Sequence, residues 1–190
     1  MVCAARARGI CGRCKSRLTP PVVPPLLAIE STAVLCSYEG VGADLIRAVK
    51  YQNRRQAIAP MIDALLPSLG FDVDAIVAVP SNPQRVRERG YDLTATLARR
   101  ISGAIEVPVI DPLVRVTADS QLGQGRQARQ EVEFRATGAV PERILLVDDV
   151  ITTGATAIAC AITLGLAGAR STNFVALAAT PITPNNLVAS

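Results

Sequence analysis

The sequence predicts an α/β fold with a doubly wound, mostly parallel sheet and flanking helices. Two short, wholly apolar runs, Ala75–Val79 and Ile144–Val147, have the composition of strands buried on both faces of a parallel sheet. Each run is followed by a polar loop and then by a helical segment. Because 49% of the residues are hydrophobic and only 3% are aromatic, the core must be built from Ala, Val, Leu and Ile. A length of 190 residues suits one such domain with a small appendage.

Further segments complete the predicted alternation of helices and strands. Asp44–Lys50 has helical spacing, with Leu45 and Val49 on one face. The other predicted helices are 56–66, 93–101 and 156–167, the last ending at Gly168. A further strand is predicted at 172–177, the short runs 107–110 and 113–116 precede a polar segment, and 181–190 is predicted to be a loose tail.

The charge and the residue types restrict the chemistry. The formal charge of +4 comes from arginine clusters, which favours a small polyanionic ligand at least as well as a nucleic acid. The chain contains no His, so a mechanism that depends on an imidazole is excluded. Neither a membrane span nor an export signal is predicted. We therefore expect a cytoplasmic protein whose five cysteines are thiols or metal ligands.

Polar groups are concentrated directly after the strand that ends at Val147. Asp148 and Asp149 are adjacent carboxylates at the carboxyl end of a buried strand, where open α/β sheets place their ligands. The residues that follow supply hydroxyls, a tight turn and the unpaired amides of a helix start; they are Thr152, Thr153, Gly154, Ala155 and Thr156. The pattern indicates a sugar phosphate, with acids on the ribose hydroxyls and amides on the phosphate. The alternative is a capped helix beside solvated acids.

Three arginines alternate after the strand that ends at Val79. Arg85, Arg87 and Arg89 are predicted to present their guanidinium groups on one side of an extended loop, which suits a pyrophosphate. An exposed charged loop is the alternative. The basic cluster Lys50, Arg54 and Arg55 is interpreted as a solvated face rather than a site.

The amino-terminal residues suggest a zinc ribbon. Cys11 and Cys14 form a CxxC knuckle and Cys3 lies upstream, so three of the four ligands of a structural zinc site are present. A frayed basic tail is the alternative, and Cys36 is predicted to be a buried thiol. The proline-rich run 19–25 predicts a stiff linker. The predicted division is therefore 1–18 ribbon-like, 19–36 linker and lead-in, and 37–190 the main domain.

The segment Thr117–Gln130 is polar, contains glycine and is too long for a simple turn, so we interpret it as a flap that covers a ligand. The run VDDVITTGAT resembles the signature of type I phosphoribosyltransferases, which bind phosphoribosyl pyrophosphate. More widely, the chain resembles the competence-protein-F branch of that family. The resemblance lies in the cysteine pair, Lys50-Tyr51, the VP and RxRxRGYD segments of 79–92, and the SQLG of 120–123.

This resemblance implies a fold of the type I phosphoribosyltransferase kind with a flap. It implies Mg²⁺ and ribose hydroxyls at Asp148 and Asp149, with the 5′-phosphate at 152–156. It further implies pyrophosphate contacts from the three arginines, a substrate contact from Ser81, and a flap that carries Gln121 and Arg129.

Two functions follow from these observations. The first is a phosphoribosyltransferase that transfers the phosphoribosyl group to an unidentified nucleophile and releases pyrophosphate. The second is a non-catalytic module in DNA uptake that binds a nucleotide, single-stranded DNA or a DNA-processing protein. The sequence contains few aromatic residues for stacking bases, which weakens direct single-strand binding. A homo-oligomer is compatible with either function.

Overall fold

The computed structural model describes residues 10–116 and 133–181. A five-stranded sheet has the order β1-β7-β6-β2-β3, and every neighbouring pair is parallel. The strands of this sheet are β1 (Thr32–Ser37), β2 (Ala75–Ala78), β3 (Val109–Ile110), β6 (Arg143–Ile151) and β7 (Ser171–Ala179). The strands β4 (Leu113–Val116) and β5 (Glu133–Ala136) form a separate antiparallel pair. The predicted mostly parallel α/β fold is confirmed.

Helices cover both faces of the sheet. They are α1 (Gly12–Lys15), α2 (Gly40–Tyr51), α3 (Ile58–Leu65), α4 (Pro83–Arg89), α5 (Leu93–Ile105) and α6 (Ala155–Leu166). Because side chains alternate along a strand, Leu145 contributes to the core under α2, α3 and α5, whereas Leu146 contributes to the core under α6. Phe174, on β7, belongs to the α6 side and is fully buried. The two cores explain why β6 and β7 are apolar at successive positions.

The residues before β1 lie against the main core. Leu26 and Ile29 pack against the α6 side, and Ile10 and Leu18 pack against the opposite side. The backbone N–H of Ser37 donates to the carbonyl of Thr19 at 2.8 Å. Because β1 begins at Thr32, the predicted lead-in 19–36 includes most of this strand. The division of the chain into a ribbon, a linker and a main domain stays a prediction.

In the two described ranges, every helix is too short or too polar to cross a bilayer.

Candidate ligand site at the carboxyl ends of the central strands

The site begins where β6 extends beyond the end of its neighbour β2. The register of β2 with β6 ends at Ala78 and Val147, whereas the register of β6 with β7 continues to Ile151 and Ala179. Residues 148–151 therefore have a strand neighbour on the β7 side alone, and the missing length of β2 leaves an opening in the sheet. The two predicted acids lie within this last part of β6 rather than beyond its end.

Asp148 and Asp149 have different partners. Lys50 Nζ on α2 lies 2.8 Å from Asp149 Oδ1, and the two side chains are only 13% and 15% exposed. Asp148 Oδ1 instead accepts a hydrogen bond of 2.7 Å from the backbone N–H of Asp149. That N–H is on the side where β2 has ended, because Val147, two residues earlier, pairs with β2 through its carbonyl. The acid pair thus combines one ion-paired carboxylate with one carboxylate held by a backbone amide.

This difference in partners changes the acidity of Asp148. Burial raises the pKa of Asp148 to about 7, and the negative charge of Asp149 acts in the same direction. The hydrogen bond from the Asp149 amide and the charge of Lys50 oppose the increase but do not cancel it. A bound cation or hydroxyl donor would favour the ionised carboxylate, so ligand binding and the ionisation of Asp148 are linked.

The loop after β6 turns tightly into α6. Gly154 has φ +83°, and a Cβ at this position would lie 2.7 Å from a methyl carbon of Leu26. Glycine is therefore required by both the backbone conformation and the close approach. The N–H of Ala155 lies 3.4 Å from Thr153 Oγ1, and the 12-residue helix α6 begins there. Thr152 and Thr156 line the cavity that contains both acids, so the positive end of this helix lies beside the acid pair.

A hydroxyl network forms the opposite side of the cavity, after β2. Ser81 Oγ donates to Asp92 Oδ1 at 2.9 Å and lies 3.0 Å from Thr94 Oγ1. Asp92 also caps α5 by accepting from the Ala95 N–H at 3.0 Å. Thr94, which is 3% exposed, lines the cavity with Ser81. Ser81 was predicted from the sequence, whereas Thr94 and the cavity-lining Arg115 of β4 were missed.

The arginine run is helical, so the prediction of an extended loop is wrong. The Asn82 side chain accepts from the Gln84 N–H at 2.8 Å, Pro83 is in the first turn, and Gly90 ends α4 at φ +76°. On a helix, residues four apart share a face and residues two apart do not. Accordingly, Arg85 and Arg89 line the cavity with the acids, and Arg87 does not.

A second basic cavity of about 420 Å³ adjoins the first and shares Lys50, Arg85 and Arg89 with it. Its wall includes Arg55, whose guanidinium carbon is 4.1 Å from the centre of the Tyr91 ring. Arg89 approaches the same ring at 5.7 Å.

The interpretation of the basic cluster as a solvated face is therefore wrong for Lys50, whereas Arg55 is exposed and agrees with it. Lys50 is paired with an acid that lies 99 residues away in the chain, and Arg55 is stacked on an aromatic ring. Arg54 is exposed, as predicted.

Several predicted residues cannot be placed. Gln121, Arg129, the rest of the flap 117–130, and Cys3 lie outside the described residues. Cys14 is buried and Cys11 directly precedes α1, but within 10–116 and 133–181 no three potential metal ligands come together. The zinc site stays a prediction. Cys36 is the buried thiol that the sequence predicts, and burial raises its pKa to about 11.

Comparisons with known proteins found similarity at the level of structure alone. No family model and no curated protein matches the chain. A purine phosphoribosyltransferase from Pyrococcus horikoshii is 19% identical with a TM-score of 0.47, and the match covers 67% of this chain and 79% of that chain. Adenine phosphoribosyltransferase from Leishmania tarentolae is 14% identical with a TM-score of 0.45, over 70% and 74% of the two chains.

A hypothetical protein from Neisseria gonorrhoeae with bound ppGpp is 16% identical with a TM-score of 0.40, over 82% and 78% of the two chains. With TM-scores below 0.5, none of these likenesses carries an argument about function.

Proposed function

We propose that this chain is a phosphoribosyltransferase that binds phosphoribosyl pyrophosphate with Mg²⁺ and transfers the phosphoribosyl group to a nucleophile. One observation carries the proposal. A single cavity of about 370 Å³ is lined by the acid pair, by two residues at the start of α6, and by two arginines of α4. These are the groups needed for a ribose, a phosphate and a pyrophosphate, which one ligand carries together.

The start of α6 suits the 5′-phosphate. The first amides of a helix have no partner within the helix, and the helix dipole favours an anion at this end. The hydroxyls of Thr152 and Thr156 add donors on the cavity wall. Asp148 and Asp149 line the same cavity, where they can accept from the ribose hydroxyls.

The acid pair fits Mg²⁺ that also takes oxygens from the ligand. Mg²⁺ in proteins is typically held by one or two carboxylates, with phosphates and waters completing the coordination. Asp148 and Asp149 provide two carboxylates, too few for a site built from protein groups alone, and the partners described above occupy one oxygen of each. When bound, Mg²⁺ would neutralise charge on the pyrophosphate.

The remaining side chains suit the departure of pyrophosphate. The bond from C1 to the pyrophosphate oxygen breaks with its electron pair on the oxygen, while the acceptor's lone pair forms the new bond to C1. Arg85, Arg89 and Lys50 line both cavities and would stabilise this developing negative charge. The carboxylates of Asp148 and Asp149 stabilise positive charge on the sugar. This transfer needs no imidazole, which agrees with the absence of His.

The competence-protein-F resemblance supports the same proposal. Two of its motifs, Lys50-Tyr51 and the segment 85–92, contribute residues to the two connected cavities. We retain a part in DNA uptake as a prediction of that resemblance, and a cytoplasmic location as a prediction of the sequence pattern.

Thermal unfolding with three ligands tests the proposal. Phosphoribosyl pyrophosphate with Mg²⁺ should raise the melting temperature, since a ligand at 100 times its Kd stabilises the folded state by about 2.7 kcal/mol. Ribose 5-phosphate should give a smaller increase because it lacks the pyrophosphate. Release of pyrophosphate would then be followed with a panel of nitrogenous acceptors. A single-stranded oligonucleotide that stabilises the protein when phosphoribosyl pyrophosphate does not would favour the non-catalytic DNA module instead.

A further inference from the structure

Tyr91 is the single residue that connects the helices α4 and α5. Gly90 ends α4 in the left-handed conformation, and Asp92 caps the start of α5. The Tyr91 side chain is half-buried and lines neither the cavity of the acid pair nor the basic cavity beside it. Its ring and hydroxyl therefore act on other residues of the site rather than on a ligand.

The Tyr91 hydroxyl completes the end of α2. It donates to the backbone carbonyl of Val49 at 2.7 Å, across 42 positions of the chain. The last four carbonyls of a helix have no partner within it, and the Val49 carbonyl is one of them because α2 ends at Tyr51. The next residue is Lys50, whose Nζ lies 2.8 Å from Asp149 Oδ1. The hydroxyl thus fixes the helical turn that carries the lysine of the site.

The Tyr91 ring holds two arginines of the basic cavity. The guanidinium carbon of Arg55 is 4.1 Å from the ring centre, and that of Arg89 is 5.7 Å from it. Both distances are within the range of a cation–π interaction. Arg55 is exposed, so contact with the ring, rather than burial, restricts the position of its guanidinium.

The arginines that the ring holds belong to a cluster of like charge. Lys50 is paired with Asp149, so the other charged residues that line the basic cavity are Arg55, Arg85 and Arg89 against Glu88. Side chains of like charge repel, and ordering long side chains around a ligand costs conformational entropy. A ring that already holds two of the three arginines reduces the entropy that is lost when an anion binds.

We infer that Tyr91 is a positioning residue for the pyrophosphate end of the site, and that Arg55 is a further cation that contacts the pyrophosphate. This inference rests on the proposed function. The pyrophosphate is the group that distinguishes phosphoribosyl pyrophosphate from ribose 5-phosphate, and the basic cavity is lined by the cations that suit it. Tyr91 therefore sets the preference of the site for the first ligand over the second.

The ratio of two dissociation constants measures this preference. Titration calorimetry of the full chain with Mg²⁺ would use phosphoribosyl pyrophosphate and ribose 5-phosphate, and the ratio cancels any loss that the two ligands share. Tyr91→Leu should reduce the preference roughly 5- to 20-fold, because two cation–π contacts are lost. Tyr91→Phe keeps the ring and loses the hydrogen bond to Val49. It should weaken both ligands alike, roughly 2- to 5-fold, and retain the preference.

Arg55 is tested with its neighbour as the control. Arg55→Ala should reduce the preference roughly 3- to 10-fold, the loss of about one hydrogen bond to an exposed cation. Arg54→Ala is the matched control, because Arg54 is also exposed and lines neither cavity. It should bind both ligands like the wild type.

A further set of variants separates positioning from a structural role. If Tyr91 acts through the two arginines, Tyr91→Leu should reduce the preference no further in a chain that already carries Arg55→Ala and Arg89→Ala. A merely structural role of the ring would weaken the two ligands equally and leave the preference unchanged. Tyr91→Met, which is closer to tyrosine in length, takes the place of Tyr91→Leu if the leucine variant does not fold.

The outcomes distinguish this inference from the proposed function. Absence of phosphoribosyl pyrophosphate binding by the wild type with Mg²⁺ overturns both. Where the wild type binds, three results overturn the inference alone. These are an unchanged preference in Tyr91→Leu or Arg55→Ala, equal losses of preference in Tyr91→Phe and Tyr91→Leu or in Arg54→Ala and Arg55→Ala, and a full effect of Tyr91→Leu in the chain that lacks both arginines.

Discussion

The two ends of β6 carry charged clusters of opposite character. At the amino end, Arg143 pairs with both Asp72 and Asp74, and its Nε lies 3.1 Å from Asp74 Oδ2. At the carboxyl end, Asp149 pairs with Lys50, and Asp148 accepts from a backbone amide. The cluster at the amino end is complete within the protein. At the amino end the cation contacts both acids, whereas at the carboxyl end Lys50 contacts Asp149 alone, so Asp148 is suited to an additional positive or donating group.

Acidity differs between the two ends in the same way. The hydrogen bond from Arg143 holds the pKa of Asp74 below its usual value. Burial and the nearby Asp149 raise the pKa of Asp148. The comparison shows that a carboxylate is ionised easily where it contacts a cation, and less easily where burial and a neighbouring acid are not offset by a contacting cation.

Removing the charged groups at each end of β6 gives the largest expected changes, in ligand binding at one end and in stability at the other. Asp148→Asn combined with Asp149→Asn should weaken phosphoribosyl pyrophosphate with Mg²⁺ on the order of 100-fold or more, because both carboxylates are lost. Phosphoribosyl pyrophosphate with Mg²⁺ should then no longer raise the melting temperature of the double variant, which remains folded without ligand. Arg143→Ala should do the reverse, lowering the melting temperature and retaining the ligand-induced shift. Normal ligand binding by the acid-pair variant, measured by calorimetry, would contradict the site.

The arginines of α4 give a smaller and more selective effect. Arg85→Ala with Arg89→Ala should weaken phosphoribosyl pyrophosphate by on the order of 10- to 100-fold, the loss of charge-assisted hydrogen bonds. Ribose 5-phosphate should be weakened much less, because it has no pyrophosphate. Arg87→Ala is the matched control from the same helix and should bind both ligands like the wild type. Equal losses for the two ligands would contradict the pyrophosphate assignment, which titration calorimetry can decide.

A third contrast is a pH dependence of opposite sign at the two ends. Asp148 has a raised pKa, so between about pH 4 and 7 the folded state retains a proton that the unfolded state has lost. Stability attributable to this group therefore falls as the pH rises through that window. The advantage of Asp148→Asn over the wild type in melting temperature should grow from pH 4 to above pH 7.

Asp74 behaves in the opposite way. Its lowered pKa contributes stability above its usual pKa that is lost as the pH falls through the folded-state value. The disadvantage of Asp74→Asn relative to the wild type should therefore shrink on the acid side. Melting curves without ligand at several pH values measure both trends, and parallel trends for the two variants would contradict the contrast between the ends.

The features that the sequence predicts well are those set by local pattern. Apolar runs such as Ile144–Val147 identify buried strands, and the acids that follow must then lie at the carboxyl edge of a parallel sheet. The helix α4 was also within reach of the sequence. Asn82, Pro83 and Gly90 are ordinary signals for the start and end of a helix, but the alternation of the arginines was given more weight.

The features that the sequence could not predict depend on contacts between distant residues. Lys50 and Asp149 are 99 positions apart, so nothing local distinguishes this lysine from a solvated one. The packing of Leu26 against Gly154 likewise joins a proline-rich stretch to the ligand loop. The opening in the sheet arises because β2 stops pairing with β6 before β6 ends. The point where pairing stops depends on both strands, so the sequence of either one alone does not predict it.

Helix α4 has little buried surface, which affects how easily it opens. None of its seven residues is buried, and the stacking of Arg89 on Tyr91 connects its last turn to the rest of the molecule. Segments with little buried surface open locally at low free-energy cost, whereas central strands open only with the whole domain. Amide hydrogen exchange should therefore be fast along α4 and slow along β6. In the function proposed above, Arg85 and Arg89 hold the pyrophosphate from a segment of low local stability. The product could then leave by local opening of α4 while the acid pair stays in place.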